Sequence, residues 1–144
     1  MAHNASTGNG TEFWLHDGTS LVKLGEITDV PEFPTATREL INATHMESGA
    51  FEEYLSGPRR DGAEITLKMN FVPNSATDVL CEAAAAAGDN RQYELVYKIA
   101  AGTKRKKAGT CIVRQYKATN PMKDRRLGEL TVKWTSAPTD SAVA

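Results

Sequence analysis

Between residues 63 and 72 the side chains alternate without a break. Ala63, Ile65, Leu67, Met69 and Phe71 fall on one side, and Glu64, Thr66, Lys68 and Asn70 on the other. Period-two alternation sends successive side chains to opposite faces of a strand, so this segment builds a sheet with one dry face and one wet face. A sheet of that kind is antiparallel by preference, and it must cover its dry face with another layer or with itself. Residues 92–99 repeat the pattern, with Tyr93, Leu95, Tyr97 and Ile99 opposed to Gln92, Glu94 and Lys98. Further strands are predicted over 11–16, ahead of the turn pair Asp17-Gly18, and over 21–24, 27–30, 37–44, 110–116 and 127–134. Pro31 and Pro34 keep the intervening residues out of a helix and out of a central strand.

One helix interrupts the strands. Ser75 followed by Asp78 has capping-box spacing, and Gly88 stands where a left-handed C-terminal cap belongs. Val79, Leu80, Ala83, Ala84 and Ala87 would form its buried face at helical spacing, and the alanine run 83–87 would let it approach a sheet closely. The predicted fold is mainly β: an antiparallel β-sandwich or partly open barrel with one flanking helix, about 75–87, and a long loop, 45–61. One domain is expected over 11–136, with a small polar N-terminal arm at 1–10 and a C-terminal tail at 137–144. With 40% hydrophobic residues in 144, the chain has the material for a core. Its longest apolar run is far short of the roughly 20 residues of a membrane helix. The first ten residues lack the basic-then-apolar pattern of a signal peptide, so the protein is expected to be soluble and intracellular when made. Cys81 and Cys111 are then expected as buried reduced thiols, and the Asn-x-Ser/Thr triplets at Asn4, Asn9 and Asn42 as composition.

Loops longer than about 12–15 residues are uncommon in compact domains. The expected loop 45–61 carries Met46, Phe51, Tyr54 and Leu55 beside the charges Glu52, Glu53, Arg59 and Arg60. Apolar residues of this size in a loop fit one that buries them on another subunit.

Nothing in the chain has the spacing of a catalytic or ligand-binding motif. His3, His16 and His45 lack metal-ligand spacing, and there is no nucleophile elbow, phosphate-binding loop or dinucleotide fingerprint. Glu52 and Glu53 are adjacent, so in extended chain they diverge, and a non-enzymatic protein without cofactor or metal is expected. The concentrated basic run Lys104, Arg105, Lys106, Lys107 is read as a solvated hairpin tip flanked by Gly102 and Gly109. A monomeric β-domain gripping nucleic acid through that run is the alternative, although a net charge of −1 is unlike a dedicated nucleic-acid binder. Charge is divided along the chain. Residues 26–53 hold seven acids and one base, net −6, whereas 98–126 hold ten bases and one acid, net +9. Two such segments either pair within the molecule or face outward and favour head-to-tail association.

The order of elements over 26–135 resembles the major tail tube proteins of long-tailed, siphovirus-like bacteriophages. The resemblance is carried by the Pro31–Pro34 approach to a strand and long loop, and by residues 58–73, which place Asp61-Gly62 before the alternating strand and end at Pro73. The capped helix ending at Gly88, the strand over 92–99, the late hairpin and the final strand ending at Trp134 complete it. It implies a fold shared with contractile-tail and type VI secretion tube proteins. It also implies a structural virion protein, made in the host bacterial cytoplasm, whose rings, usually hexameric, stack into a hollow tube that passes double-stranded DNA without sequence-specific binding. A tail terminator or connector ring is the neighbouring alternative. The implied partners are further copies, the tape measure, terminator and tail tip proteins. The loop with Met46, Phe51, Glu52, Glu53, Tyr54, Leu55, Arg59 and Arg60 would bridge subunits, as would the terminal arms, and Glu64, Thr66, Lys68 and Asn70 would face the lumen. About four strands from each of about six subunits, at ~4.8 Å spacing and a tilt near 40°, close a barrel about 48 Å across at the backbone, wide enough for duplex DNA.

Overall fold

A computed structural model of the chain describes residues 10–99 and 103–142. The described elements run β1 (Glu12–His16), β2 (Leu21–Lys23), β3 (Ile27–Asp29), β4 (Ala36–Asn42), β5 (Tyr54–Gly62), β6 (Glu64–Asn70), α1 (Ala76–Ala87), β7 (Asn90–Lys98), β8 (Lys104–Thr119), β9 (Leu127–Trp134) and β10 (Thr139–Ala142). Eight strands form one antiparallel sheet in the order β2-β1-β7-β8-β9-β6-β3, with β10 beside β8, and β4 and β5 pair separately as a hairpin. β8 is the spine. One of its edges carries β7 along 104–112, and the other carries β9 along 111–119 and then β10 along 105–108.

The alternation predicted from the sequence decides which face is dry. Ile65, Leu67 and Met69 of β6 are buried, as are Leu130, Val132 and Trp134 of β9, Cys111 and Val113 of β8, and Phe13 and Leu15 of β1. β1 and β6 stand apart in the sheet, separated by β7, β8 and β9, yet their inward side chains join one core. The sheet therefore curls on itself into a half-barrel with the apolar face inside. The ring of Trp134 lies 4.7 Å from that of Tyr93 and 6.4 Å from that of Phe13, closing the centre. Leu67, Leu95 and Leu130 are wholly buried, each contributing about 1.5–3 kcal/mol.

The helix fills the open side. Ser75 accepts a hydrogen bond from the Asp78 amide, and Gly88 ends the helix at φ 62° with its N–H donating to Ala84 O, as its caps predict. Its packed face, however, is Leu80, Cys81 and Ala84 with Asp78, while Val79 is 57% exposed. The correction is one of rotation. A run of alanines presents nearly the same bulk on every side, so the tertiary hydrogen bonds set the angle. These are Gly25 N to Thr77 Oγ1 at 2.9 Å and Tyr116 OH to Asp78 Oδ1 at 3.1 Å.

Three other expectations change. Residues 54–61, expected within the long loop, are most of strand β5, which leaves a connection of 43–53. Pro58 is tolerated there because the β4–β5 register shifts between Arg38 and Leu40, a bulge in which the missing N–H costs no ladder bond. Lys104, Arg105, Lys106 and Lys107 are not a hairpin tip but the first four residues of β8, paired with β7 on one edge, and Arg105, Lys106 and Lys107 also with β10 on the other. Residues 139–142, expected in a tail, are β10. The arm expected at 1–10 lies outside the described residues except for Gly10.

Candidate functional site

The β4–β5 hairpin leaves the half-barrel at one place. β5 runs into β6 through Gly62 and Ala63, where a Cβ on Gly62 would stand 1.9 Å from the Trp134 carbonyl oxygen, so only glycine permits this approach of hairpin and sheet. Ala63 N donates to Thr35 O and Trp134 N to Ala63 O, pinning the hairpin base to β9. Beyond that base every β4 residue is exposed, and in β5 Gly57 is buried and Gly62 partly so. Nine residues at about 3.3 Å each give a projection of about 30 Å.

The projecting surface carries Leu40, Ile41, Met46, Phe51, Tyr54 and Leu55, all exposed, with Phe51 at 89% and Met46 fully so. The connection is nevertheless built. Ala43 N donates to Glu53 O, Glu53 N to Thr44 Oγ1 and Ser48 N to His45 O, while His45 Nε2 sits 3.4 Å from Glu53 Oε2. Tyr54 OH donates to Glu52 Oε2 at 2.5 Å, which raises the phenol pKa. Of the expected bridging residues, Met46, Phe51, Glu52 and Glu53 lie in this connection, and Tyr54, Leu55, Arg59 and Arg60 on β5. Leu40 and Ile41 belong to the same exposed surface, although their sequence signals only a strand. A two-stranded hairpin is at best marginal in water by itself. This one, with its apolar side chains in solvent, has the composition of an interface rather than of a loop.

The wet face of the half-barrel is a second surface. Glu64, Thr66, Lys68 and Asn70 lie together on β6, with Glu64 on Arg114 at 2.5 Å and Thr66 Oγ1 at 3.2 Å from Thr131 Oγ1. Lys68 stands opposite Glu129. Glu12 receives a hydrogen bond from Lys23, which with the nearby Lys104 holds its carboxyl below the usual value against a smaller opposing effect of burial. The basic run is largely neutralised by neighbours distant in sequence: Lys104 lies 3.9 Å from Glu12, Lys106 3.1 Å from Glu94 and Lys107 2.8 Å from Asp140. Those acids reduce the net positive charge the run presents to a phosphate.

Buried polar chemistry is structural. Asp78 accepts from Tyr116 OH and from the Asn74 amide, and burial with this bond pushes the Tyr116 phenol above its ordinary range. Cys81 and Cys111 are free and buried, and burial pushes both thiols up to about 12, leaving them unreactive at neutral pH. Among the described residues no group of three or more His, Cys, Asp or Glu converges as a metal site.

No family model matches the sequence, and no curated protein matches it either. Solved structures do. A chain from the tail of an empty gene transfer agent particle, determined with C6 symmetry, superposes at TM-score 0.73 with 17% identity over 97% of this chain and 100% of that one. A chain of the SPP1 tail tube superposes at 0.60 with 9% identity, over 95% of this chain and 79% of that one. This is the tail tube fold. A chain of the six-fold symmetrised anti-feeding prophage baseplate shares it at 0.68 and 8% identity, over 98% and 97% of the two chains.

Proposed function

We propose that this protein is a non-enzymatic structural subunit of a tail tube, located in the virion tail after synthesis in the host bacterial cytoplasm. Copies join into rings, hexameric as in the C6 tail that it superposes on, and the rings stack into a hollow tube that conducts double-stranded DNA without sequence-specific contacts. The observation that carries this reading is the match along the full length of a gene transfer agent tail chain, 97% of one and 100% of the other. The exposed apolar hairpin supports it independently, because that surface needs a partner. The hairpin, with Met46, Phe51, Tyr54 and Leu55, bridges subunits. The wet face with Glu64, Thr66, Lys68 and Asn70 faces the lumen, where mixed signs avoid a strong grip on DNA. Tape measure, terminator and tail tip proteins are the other partners.

A second position, a ring at the end of the tail, draws on the likeness to the baseplate chain. Negative-stain electron microscopy of the concentrated protein separates the two. Long hollow tubes of constant width are expected. Isolated rings would move the protein to the tail end, and a salt-sensitive DNA complex of a monomer would contradict both.

A further inference from the structure

The acidic segment 26–53 and the basic segment 98–126 touch where Lys107 lies over the Phe33 ring, yet none of the ion pairs among the described residues joins their charges. Each segment places part of its charge at an end of the fold, beside exposed apolar side chains. Between 43 and 55 the hairpin tip holds Glu47, Glu52 and Glu53 and no Lys or Arg, net −3 with His45 neutral. Phe51 and Met46 stand exposed among them. The β8–β9 turn, 120–126, holds Lys123, Arg125 and Arg126 against Asp124, net +2. Met122 at its apex is fully exposed, and Val72 is exposed at the adjoining end of β6. The turn is ordered by its own bonds, Arg126 Nε to Asn120 Oδ1 at 2.7 Å and Phe71 N to Arg126 O at 3.0 Å.

The two surfaces lie at opposite ends of β6. The hairpin departs where Glu64 pairs with Lys133, and the β8–β9 turn lies beyond the Asn70–Leu127 pair. Among the described residues no ion pair joins tip and turn, so one copy leaves the charge of its own tip unmatched by the turn. We propose that the acidic, apolar tip of the β4–β5 hairpin docks on the basic β8–β9 turn of a second copy of this chain. The contact is heterologous, so it propagates head to tail into rings or stacks rather than closing as a dimer. Phe51 and Met46 meet Met122 and Val72 at its centre, with the carboxylates facing Lys123 and Arg125. This inference rests on the tube reading for its biological setting, although the contact itself is tested separately.

Two charge-reversed chains test it, Glu47→Lys/Glu52→Lys and Lys123→Glu/Arg125→Glu, together with the chain that carries all four changes. Circular dichroism checks that each is folded, and the readouts are sedimentation velocity and negative-stain microscopy across concentration. Each two-site variant should need about tenfold or more protein to assemble, because like charges then face each other. The four-site chain, and an equimolar mixture of the two-site variants, should assemble near the wild-type concentration. Unchanged assembly of both two-site variants would overturn the contact and leave the tube reading standing, and so would failure of the four-site chain to recover. Recovery that yields open chains without rings or tubes would support the contact and contradict the tube. A wild-type chain that stays monomeric at every concentration would overturn the contact as one that free copies make, and would leave the tube reading standing.

Discussion

The half-barrel and the hairpin are made of the same kinds of residue and differ in where those residues go. In the half-barrel, strands that alternate apolar and polar side chains curl until Phe13, Leu67, Tyr93 and Trp134 share one interior, and α1 covers what remains open. In the hairpin, Leu40, Phe51, Tyr54 and Leu55 sit on strands or a connection with no second layer behind them among the described residues. The first region completes its burial within one chain. The second has apolar surface and built backbone geometry but no cover among the described residues. On the proposed reading, stability belongs to one part of the chain and association to the other, and substitutions can separate the two.

The largest expected effect is on the half-barrel. Trp134→Ala removes the ring that packs on both Phe13 and Tyr93, and should cost about 3–5 kcal/mol of stability in urea denaturation, with assembly lost because the fold is lost. Phe51→Ala should do the reverse. Stability should stay within about 0.5 kcal/mol, because the side chain is exposed in the subunit. Assembly followed by light scattering should weaken by about tenfold or more, since buried aromatics dominate interface energetics. Equal loss of folding and assembly in Phe51→Ala would break the comparison, because Phe51 would then be core.

Alkaline pH should sharpen the comparison. The buried thiols of Cys81 and Cys111 sit at about 12, against an ordinary value of 9.0. Above the ordinary value the unfolded chain loses protons that the folded chain keeps, so the urea midpoint should fall as pH rises from 9 toward 12. Cys81→Ala/Cys111→Ala should flatten that fall. The smallest effect belongs to the wet face. Glu64→Gln with Lys68→Gln removes one surface ion pair and one exposed charge, for a cost of about 0–1 kcal/mol. Tube formation should be unchanged in the microscope, and its loss would contradict the lumenal assignment.

What was legible in the sequence was local. The β6 alternation and the Ser75, Asp78 and Gly88 caps need only near neighbours to act, and they predicted the dry face and the ends of the helix. β5 was hidden because Gly57, Pro58, Arg59, Arg60 and Asp61 show no alternation, and their extended form depends on pairing with β4 across the bulge. The basic run was hidden for a similar reason. Four consecutive cations read as a solvated tip until Glu12, Glu94 and Asp140 arrive from three other strands. The helix face was misplaced by its alanines, and Asp78 was read as a cap residue without its Tyr116 partner. The β8–β9 turn carried a signal, Met122 among Lys123, Arg125 and Arg126, that matters only beside the acidic tip.

Amide hydrogen exchange, compared between the dissociated subunit and the assembled form, tests the central claim most directly. With its apolar side chains uncovered, the β4–β5 ladder should exchange quickly in the subunit and slow by about 100-fold or more on assembly. The ladders of β6, β8 and β9 should be equally protected in both. A hairpin already as protected in the free subunit as β6, or one that stays open in the assembly, would contradict the account.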